Sequence, residues 1–216
     1  MEQQELVKLI KETVKDVLAK KETSDMDLGI PIGISNRHVH LSVEAVERLF
    51  GKDHRLTKLK DLSQPGQFAA EETVTVIGEK GKLKNVRVLG PTRDMTQLEI
   101  SLGDGFKTGM KPSVRLSGDI KGTPSFTLQG PRGQMKIKQG LICALRHIHM
   151  HPTDATKFNV KDREKVDVFV PGERSVTFHD TLVRVSENYR LEMHIDFDEA
   201  NAANIKNGQK ATLLKR

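Results

Sequence analysis

The stretch Arg37-His38-Val39-His40-Leu41 recurs in the second half of the chain as Arg146-His147-Ile148-His149-Met150. Each copy leads into a short segment of helical periodicity, one after Ser42 and the other after Thr153. A repeated element of this kind is typical of a chain that contains related structural units. The repeat therefore predicts two related halves, each of which carries the same site element.

After Pro31 the chain consists mainly of short segments in which apolar and polar residues alternate. They are rich in β-branched residues, are separated by Gly, Pro, Asn or Asp, and include residues 73–77, 86–89, 97–100, 166–170 and 182–185. Many short strands of this kind are typical of barrels and sandwiches. The sequence therefore predicts a mainly β fold, with brief helices after Ser42, after Thr153 and near Asp198.

The beginning of the chain has a different period. Leu6, Ile10, Val14 and Val17 recur at three- and four-residue spacing among balanced lysines and acidic residues. This spacing predicts an amphipathic helix over residues 2–21, followed by a short polar linker. Because the charges of this helix cancel and it lacks Trp and Phe, packing on the body of the protein or oligomerisation is favoured over binding to a membrane surface.

Composition restricts the class of protein. The 216 residues carry a net charge of +6, which indicates an anionic partner such as nucleic acid, a membrane surface or a phosphorylated small molecule. Aromatic residues make up only 4% of the chain, which disfavours a nucleic-acid binder that stacks bases. No apolar run has the length of a membrane span, and no secretory signal is recognisable. We expect a soluble, cytoplasmic protein.

The repeated histidines have the geometry of metal ligands. Because residues two apart on a strand point to the same face, His38 projects together with His40, and His147 projects together with His149. A single pair could be two surface histidines, but the recurrence of both the spacing and the preceding arginine favours metal binding. Imidazole-rich sets suit zinc, cobalt, nickel or iron better than magnesium or calcium.

A further histidine lies near the end of the chain. His194 shares one face of an alternating strand with Asp196, so it can complete the site that the second pair begins. Asp196 either orients an imidazole or caps the helix that follows, and the sequence leaves both roles open. Three protein ligands would leave a coordination position free for substrate, as catalysis requires.

The sequence offers little for covalent catalysis. The only cysteine, Cys143, lies in an apolar strand pattern and is expected in the core, and it excludes an internal disulfide. No nucleophile elbow and no glycine-rich phosphate loop is present. Direct attack on a metal-polarised substrate is therefore favoured.

Five motifs that occur in order from about residue 30 to the C-terminus resemble those of the phosphate propanoyltransferases of the PduL type. They are Gly33-Ile34-Ser35-Asn36-Arg37-His38-Val39-His40-Leu41-Ser42, Gln64-Pro65-Gly66-Gln67-Phe68-Ala69-Ala70-Glu71, Asn85-Val86-Arg87-Val88-Leu89-Gly90-Pro91-Thr92-Arg93, Arg146-His147-Ile148-His149-Met150, and Glu192-Met193-His194-Ile195-Asp196 with Asp198-Glu199-Ala200-Asn201-Ala202.

This resemblance implies two β-barrels capped by short helices. Residues 27–36 and 145–216 would form the first barrel, residues 37–144 the second, and residues 1–26 the N-terminal helix and linker. Family members that associate with bacterial microcompartments use such an N-terminal extension as an encapsulation signal. Microcompartment shell or cargo proteins, and a second copy of the chain, are therefore expected candidates for partners, whereas a membrane and nucleic acid are not expected.

The resemblance also implies two zinc ions between the barrels. One would be held by His38, His40 and Glu99 and contacted by the coenzyme A sulfur, and the other by His147, His149 and His194 with water. Glu99 enters only through the resemblance, because it otherwise has the pattern of an ordinary polar-face glutamate.

The resemblance places the substrates as well. Arg93 would bind phosphate, for which a guanidinium offers a rigid fork of donors. Coenzyme A would contact the backbone of residues 33–35, which are Gly33, Ile34 and Ser35, and the side chains of Lys80, Arg87 and Asn201.

Three other histidines are expected outside the ligand sets. His151 is interpreted as a neighbour of the site, and His54 and His179 as surface or structural residues.

The implied activity is transfer of a propanoyl or acetyl group between coenzyme A and inorganic phosphate by direct attack. A two-metal acyl-coenzyme A hydrolase, and a nonenzymatic basic barrel that binds nucleic acid with a structural metal, remain alternatives.

Overall fold

The computed structural model describes residues 29–214 and shows a mainly β chain with short helices in this range. The mainly β fold that the sequence predicts is thereby confirmed. The helix predicted over residues 2–21 lies outside the described residues. Within residues 29–214, no helix has both the length and the apolar character that crossing a membrane requires.

The described part contains fifteen strands and four helices. The strands are β1 (Ile30–Ser35), β2 (His38–His40), β3 (Lys58–Asp61), β4 (Phe68–Ile77), β5 (Lys82–Gly90), β6 (Gln97–Glu99), β7 (Ser113–Arg115), β8 (Phe126–Gln129), β9 (Gln134–Ile137), β10 (Leu141–Ala144), β11 (His147–Met150), β12 (Lys165–Val170), β13 (Val176–Val185), β14 (Glu192–Asp196) and β15 (Lys210–Leu214). The helices are α1 (Val43–Phe50), α2 (Leu102–Thr108), α3 (Pro152–Phe158) and α4 (Phe197–Ala202).

Six strands form a closed barrel in the order β1-β14-β11-β13-β12-β15. β1, from the start of the described chain, closes it by pairing in parallel with β14 and antiparallel with β15. The interior is filled by apolar side chains that include Ile32, Ile148, Val168, Val183 and Met193. Alternation along these strands places the buried residues inside and leaves the other face for helices, solvent and the site.

The remaining nine strands form a second sheet in the order β7-β10-β6-β2-β5-β4-β8-β9, with β3 paired to β4. Over the described residues its pairing ends at β7 and β9 and does not close, so one closed barrel and one open sheet are present. A separate core lies on it and includes Val39, Val76, Val88, Leu98 and Leu128. The predicted domain boundaries, which separate residues 1–26, residues 27–36 with 145–216, and residues 37–144, stay a prediction.

The four helices begin at residues with capping side chains. Ser42 accepts from the Ala45 N–H at the start of α1, and Ser101 accepts from the Asp104 N–H at the start of α2. These bonds satisfy backbone donors that have no partner inside the helix. The Ser42 cap confirms the helix start that the sequence predicts.

The caps of the other two helices decide questions that the sequence left open. Asp196 accepts from the Glu199 N–H at the start of α4, and Glu199 accepts in return from the Asp196 N–H, which makes a complete capping box. His151 caps α3 through Nδ1, which accepts from the Thr153 N–H at 3.3 Å. Both residues therefore have defined roles at helix starts.

The two halves repeat the same local topology. β2 pairs in parallel with β5 and antiparallel with β6, while β11 pairs in parallel with β13 and antiparallel with β14. α1 follows β2 and α2 follows β6, just as α3 follows β11 and α4 follows β14. The repeat seen in the sequence thus extends to a four-element unit, and this unit positions the site.

Candidate functional site

A cavity of about 1160 Å³ lies where the barrel and the sheet meet. It is lined by residues of β1, β2, β3, β4, β5, β6, β10, β11, β13 and β14. Pockets for small ligands and cofactors commonly have volumes of several hundred to about a thousand Å³, so this one can hold a large substrate. Both predicted metal-ligand sets face it.

The first cluster consists of His38, His40 and Glu99, and all three side chains are buried. The register explains their proximity, because His38 lies opposite Glu99 across the antiparallel pair of β2 and β6. Glu99 Oε2 is 3.5 Å from His38 Nε2, and Glu99 Oε1 is 3.8 Å from His40 Nε2. Residues directly opposite each other share a face, so two strands suffice to assemble the cluster.

The second cluster consists of His147, His149 and His194. His147 lies opposite His194 across the antiparallel pair of β11 and β14, in the same relation that His38 has to Glu99. The three ring centroids are separated by 4.6, 4.8 and 5.2 Å. In each cluster one ligand-type atom from every residue lies within 4.8 Å of the other two.

Hydrogen bonds to the backbone orient the first histidine of each pair. His38 Nδ1 lies 2.7 Å from the Asn36 carbonyl, and His147 Nδ1 lies 2.8 Å from the Leu145 carbonyl. An imidazole that donates from Nδ1 to a carbonyl presents the lone pair of Nε2, which is a common arrangement for a metal-binding histidine.

The second histidine of each pair has an unsatisfied buried nitrogen. Within residues 29–214, the Nδ1 atoms of His40 and His149 are buried and have no hydrogen-bond partner. A buried polar atom without a partner costs free energy. The His40 nitrogen nearest Glu99 is Nε2, so the fit to a metal ion rests on the donor sets and on the Nδ1 bonds of His38 and His147, which suit ions of the zinc type.

Electrostatics in the first cluster favour an ionised glutamate. Burial would raise the pKa of Glu99, but the charges of His38 and His40 and bonds from His38 and Ser117 hold it well below its usual range. Burial lowers the pKa of His38, yet Glu99 outweighs this effect and raises it. Burial and the positive charges of His38 and Arg93 lower the pKa of His40 to about 3. The cluster therefore offers one carboxylate and at least one neutral imidazole.

Burial keeps two imidazoles of the second cluster, those of His147 and His149, neutral. Burial and the charge of His194 lower the pKa of His147 to about 4. Burial and the charges of His147 and His194 lower the pKa of His149 to about 2. Metal binding requires the neutral form, so no proton has to be displaced from these two residues near neutral pH. Glu192 Oε2 lies 2.6 Å from His194 Nε2 and orients that ring.

Each repeated arginine anchors its cluster to a helix. Arg37 Nε lies 2.9 Å from Asp104 in α2, and Arg146 Nη1 lies 2.5 Å from Glu199 in α4. Asp104 and Glu199 each stand three residues after the helix cap, so the two pairs occupy equivalent positions. Arg37 thus joins β2 to α2, and Arg146 joins β11 to α4. In each half this helix is the one that follows the third residue of the cluster.

Most of the other predicted site residues also line the cavity. Residues 33–35 of β1, Arg87 of β5 and Arg93, just after β5, all contribute to its wall. Arg87 Nη1 donates to the carbonyls of Ala70 and Glu71 at 2.9 and 2.8 Å. Burial lowers the pKa of the half-buried Arg93. Lys80 and Asn201 are exposed and do not line the cavity, so their assignment to coenzyme A stays a prediction.

The structure adds cavity residues that the sequence reasoning missed. Lys60, Lys84, Arg184 and Tyr189 all line the cavity. Nothing in their local sequence distinguishes them from surface residues. They come together only in the folded chain, where all four line the same cavity. The sequence did contain a signal for Glu99, because Leu98-Glu99-Ile100-Ser101 has the same pattern as Met193-His194-Ile195-Asp196. In both segments an apolar residue comes first, the third member of a cluster second, an isoleucine third and a helix cap last.

The nucleophile candidate and the peripheral histidines behave as the sequence indicates. Cys143 is buried in β10 and donates to Asp196, and burial raises the pKa of its thiol far above the neutral range. His54 contacts Glu72 at 2.8 Å, and the exposed His179 contacts Asp167 at 2.9 Å. None of these three residues lines the cavity.

Comparisons with known proteins agree with this site. The family model described as phosphate propanoyltransferase matches residues 31–206. A phosphate propanoyltransferase of Thermotoga maritima is 54% identical over 188 residues, which cover 87% of this chain and 90% of the relative. That of Clostridioides difficile is 48% identical over 208 residues, covering 96% and 98%. That of Sebaldella termitidis is 44% identical over 216 residues, covering both chains completely. The chain therefore belongs to the phosphate propanoyltransferase family of acyltransferases.

Proposed function

We propose that the protein transfers a short acyl group, propanoyl or acetyl, between coenzyme A and inorganic phosphate at a site that holds two zinc ions. The observation that carries this proposal is the pair of buried three-residue clusters that line one cavity together with Arg93. Membership of the phosphate propanoyltransferase family supports the choice of transferred group and acceptor.

In this proposal each cluster holds one metal. His38, His40 and Glu99 would hold the first, and the second cluster the other. Zinc bound by these residues would polarise the thioester carbonyl and stabilise the departing thiolate. The first cluster offers a carboxylate and two imidazoles, whereas the second offers three imidazoles, so the metal-bound sites would differ by one negative charge.

Arg93 is the proposed phosphate ligand. Its side chain lines the cavity, and its N–H donates to the Leu41 carbonyl next to His40, which fixes the backbone beside the first cluster. A guanidinium binds a tetrahedral oxyanion through two parallel bonds. Arg93 thereby holds phosphate close to the thioester, and proximity supplies a large part of the acceleration.

The remaining proposed contacts bind coenzyme A. Residues 33–35 and Arg87 line the cavity, while Lys80 and Asn201 would have to contact a part of the substrate that extends beyond it. Arg87 is fixed by two carbonyl acceptors, which leaves its other guanidinium nitrogens available for a phosphate group of the nucleotide.

The proposed reaction is a direct displacement. A phosphate oxygen attacks the thioester carbonyl carbon, the carbon–sulfur bond breaks, and coenzyme A leaves as the thiolate while acyl phosphate forms. The buried Cys143 thiol, with its raised pKa, does not line the cavity, which supports a route without an acyl-enzyme. We expect sequential kinetics, and a burst of one acyl group per chain without phosphate would contradict this route.

The decisive experiment measures thiol release from propanoyl-coenzyme A with and without phosphate, together with the metal content of the full chain. We expect phosphate-dependent release, formation of an acyl phosphate and about two zinc ions per chain. Phosphate-independent release would instead identify a hydrolase. Salt-dependent retention on nucleic acid, without turnover of acetyl-, propanoyl- or butanoyl-coenzyme A, would identify a nucleic-acid-binding protein.

We also propose a cytoplasmic location, with residues 1–26 as the candidate contact for microcompartment shell or cargo proteins or for a second copy of the chain. The division into 27–36 with 145–216, and 37–144, is proposed as the functional division, because each part contributes one cluster. Co-sedimentation with microcompartment shells tests the proposed contact through residues 1–26. It would support this contact if the full chain sediments with the shells and a chain without residues 1–26 does not.

A further inference from the structure

A second arginine, Arg184, lines the cavity together with Arg93. Arg184 lies on β13 directly beside His149 of β11 in the parallel register. Adjacent residues in paired strands point to the same face at a spacing of about 5 Å, so Arg184 shares the face of the second cluster. Arg184 lines the same cavity as Arg93, which stands beside the first cluster.

Tyr189 orients the Arg184 side chain. The Arg184 guanidinium carbon lies 5.5 Å from the centre of the Tyr189 ring, within the range of a cation–π contact. The other contact of that ring is His149, with ring centres 4.1 Å apart. Tyr189 therefore connects Arg184 to the second cluster and restricts the positions that the guanidinium can take.

The guanidiniums of Arg93 and Arg184 lack directly bonded protein partners in the described part of the chain, although the negative charge of Glu99 acts on Arg93. Among residues 29–214, neither guanidinium forms a hydrogen bond or an ion pair with another side chain or with the backbone. The other cavity arginines differ, because Arg37 pairs with Asp104 and Arg87 donates to carbonyls. Half-buried charges are costly without a partner, so two of them in one cavity indicate an anionic ligand.

The two guanidiniums also line one and the same cavity. Burial lowers the pKa of Arg93, Glu99 raises it, and the positive charge of Arg184 lowers it further. Like charges that face one cavity repel each other until an anion lies between them. The arrangement is therefore suited to a small ligand with at least two negative oxygens.

We propose that Arg184 is a second phosphate-binding residue, which holds inorganic phosphate from the side of the second cluster while Arg93 holds it from the side of the first. Tyr189 is the positioning residue for Arg184. This inference rests on the proposed function, because it assigns the acceptor of that same reaction. Two guanidinium groups can donate four hydrogen bonds to the oxygens of hydrogenphosphate. Water is neutral and has a single oxygen, so it cannot accept four bonds from the two arginines or balance their charge.

The test compares Arg184→Gln with the wild-type full chain in the propanoyl-coenzyme A and phosphate reaction. We expect the KM for phosphate to rise roughly tenfold or more, because a charge-assisted contact is lost. The KM for propanoyl-coenzyme A should change by less than about twofold, and the metal content should stay the same. Arg174→Gln is the matched control, because Arg174 is an exposed arginine of the same barrel, outside the cavity.

Two further variants separate binding from folding. Arg184→Lys keeps the charge but not the fork, so its KM for phosphate should lie between those of the wild type and Arg184→Gln. Tyr189→Ala removes the ring that positions Arg184, so its KM for phosphate should rise several-fold, but by less than in Arg184→Gln, while the KM for propanoyl-coenzyme A changes by less than about twofold. An unchanged KM for phosphate in both Arg184 variants, or a rise only in the KM for propanoyl-coenzyme A, would overturn the proposal.

Calorimetric titration with inorganic phosphate distinguishes failure of this inference from failure of the proposed function. If the wild type turns over no acyl-coenzyme A but binds phosphate, and Arg184→Gln binds it at least several-fold more weakly, the phosphate site stands without the activity. Equal phosphate binding by the wild type and Arg184→Gln would exclude the site, whatever the activity.

Discussion

The two candidate metal clusters differ in one residue, and that difference determines their charge. Glu99 and His194 hold equivalent register positions opposite His38 and His147. Glu99 outweighs burial and raises the pKa of its register partner His38, whereas burial and the charge of His194 lower the pKa of His147. An anionic site can balance more of the charge of a divalent cation than a neutral site can. The two metal sites are therefore suited to bind different reactants of one reaction.

Removing the third residue of either cluster should remove one metal. We expect Glu99→Ala and His194→Ala each to retain about one zinc ion per chain in place of about two, and to lower turnover by roughly a hundredfold or more. Mass spectrometry of the metal content, together with the phosphate-dependent assay, measures both effects. His179→Ala serves as the control, since His179 is exposed and lies outside the cavity. Loss of both metals in either variant would show that the sites do not bind independently.

At the scale of elements, ion pairs join each strand that carries the repeated histidines to a helix. The Arg146 and Glu199 side chains are 32% and 22% exposed, so solvent screens their contact only partly. Arg146→Gln should therefore lower the free energy of unfolding by about 1–2 kcal/mol. Denaturant unfolding measures this change. Arg115→Gln is the matched control, because Arg115 and Asp119 are about half exposed and 3.9 Å apart, and its effect should be near zero.

The middle of β4 is tied to the segment before β3 by the carboxylate of the half-buried Glu72. Glu72 accepts from His54 Nε2 at 2.8 Å and from the Thr57 N–H at 3.0 Å. Burial would raise the pKa of Glu72, but these bonds outweigh it and lower the pKa below its usual value. A carboxyl group whose folded pKa is depressed stabilises the protein above its unfolded pKa, and this contribution is lost as pH falls through the folded value.

Glu72→Gln should therefore destabilise the protein at pH 7, and the difference from wild type should shrink as the pH is lowered below about 4.5. Unfolding curves of both proteins between pH 3 and pH 7 measure the difference. Glu187→Gln, at an exposed position in the loop before β14, is the control. A difference that stays constant down to pH 3 would show that Glu72 acts through packing and not through its charge.

At the scale of the whole molecule, the site is formed where two units meet. The loop between β3 and β4 crosses from the sheet to the barrel, where Gln64 exchanges hydrogen bonds with the Arg190 backbone and Ser63 donates to Glu192. Gln64 is buried, so its two bonds to the Arg190 backbone are partly shielded from water. Contacts of this kind fix the distance between the two clusters, on which a reaction between two bound substrates depends.

All residues of both clusters and the cavity lie within residues 29–214. We therefore expect a chain without residues 1–24 to retain most of its phosphate-dependent turnover. Turnover and the unfolding midpoint of the shortened and full chains measure this. An inactive, unfolded product would show that this segment packs on the body of the protein.

Much of the candidate site was predictable from local pattern. The spacing of His38 and His40, repeated at His147 and His149, predicts two faces with paired imidazoles, because alternation in a strand is a local property. Ser42 and the alternating strands were predictable for the same reason. The role of His151 as a helix cap was not, because an imidazole seldom takes that position.

The sequence by itself determined the mainly β character, the repeated histidine pairs and the family of this protein, because these depend on residue order. Only the tertiary structure decided the register that sets Glu99 opposite His38 and His194 opposite His147, the pairing of β1 with β14 and β15, and the position of Arg93 and Arg184 on one cavity. The physical reason is that strand register and the packing of one unit against another set these distances, and neither depends on neighbours in the sequence.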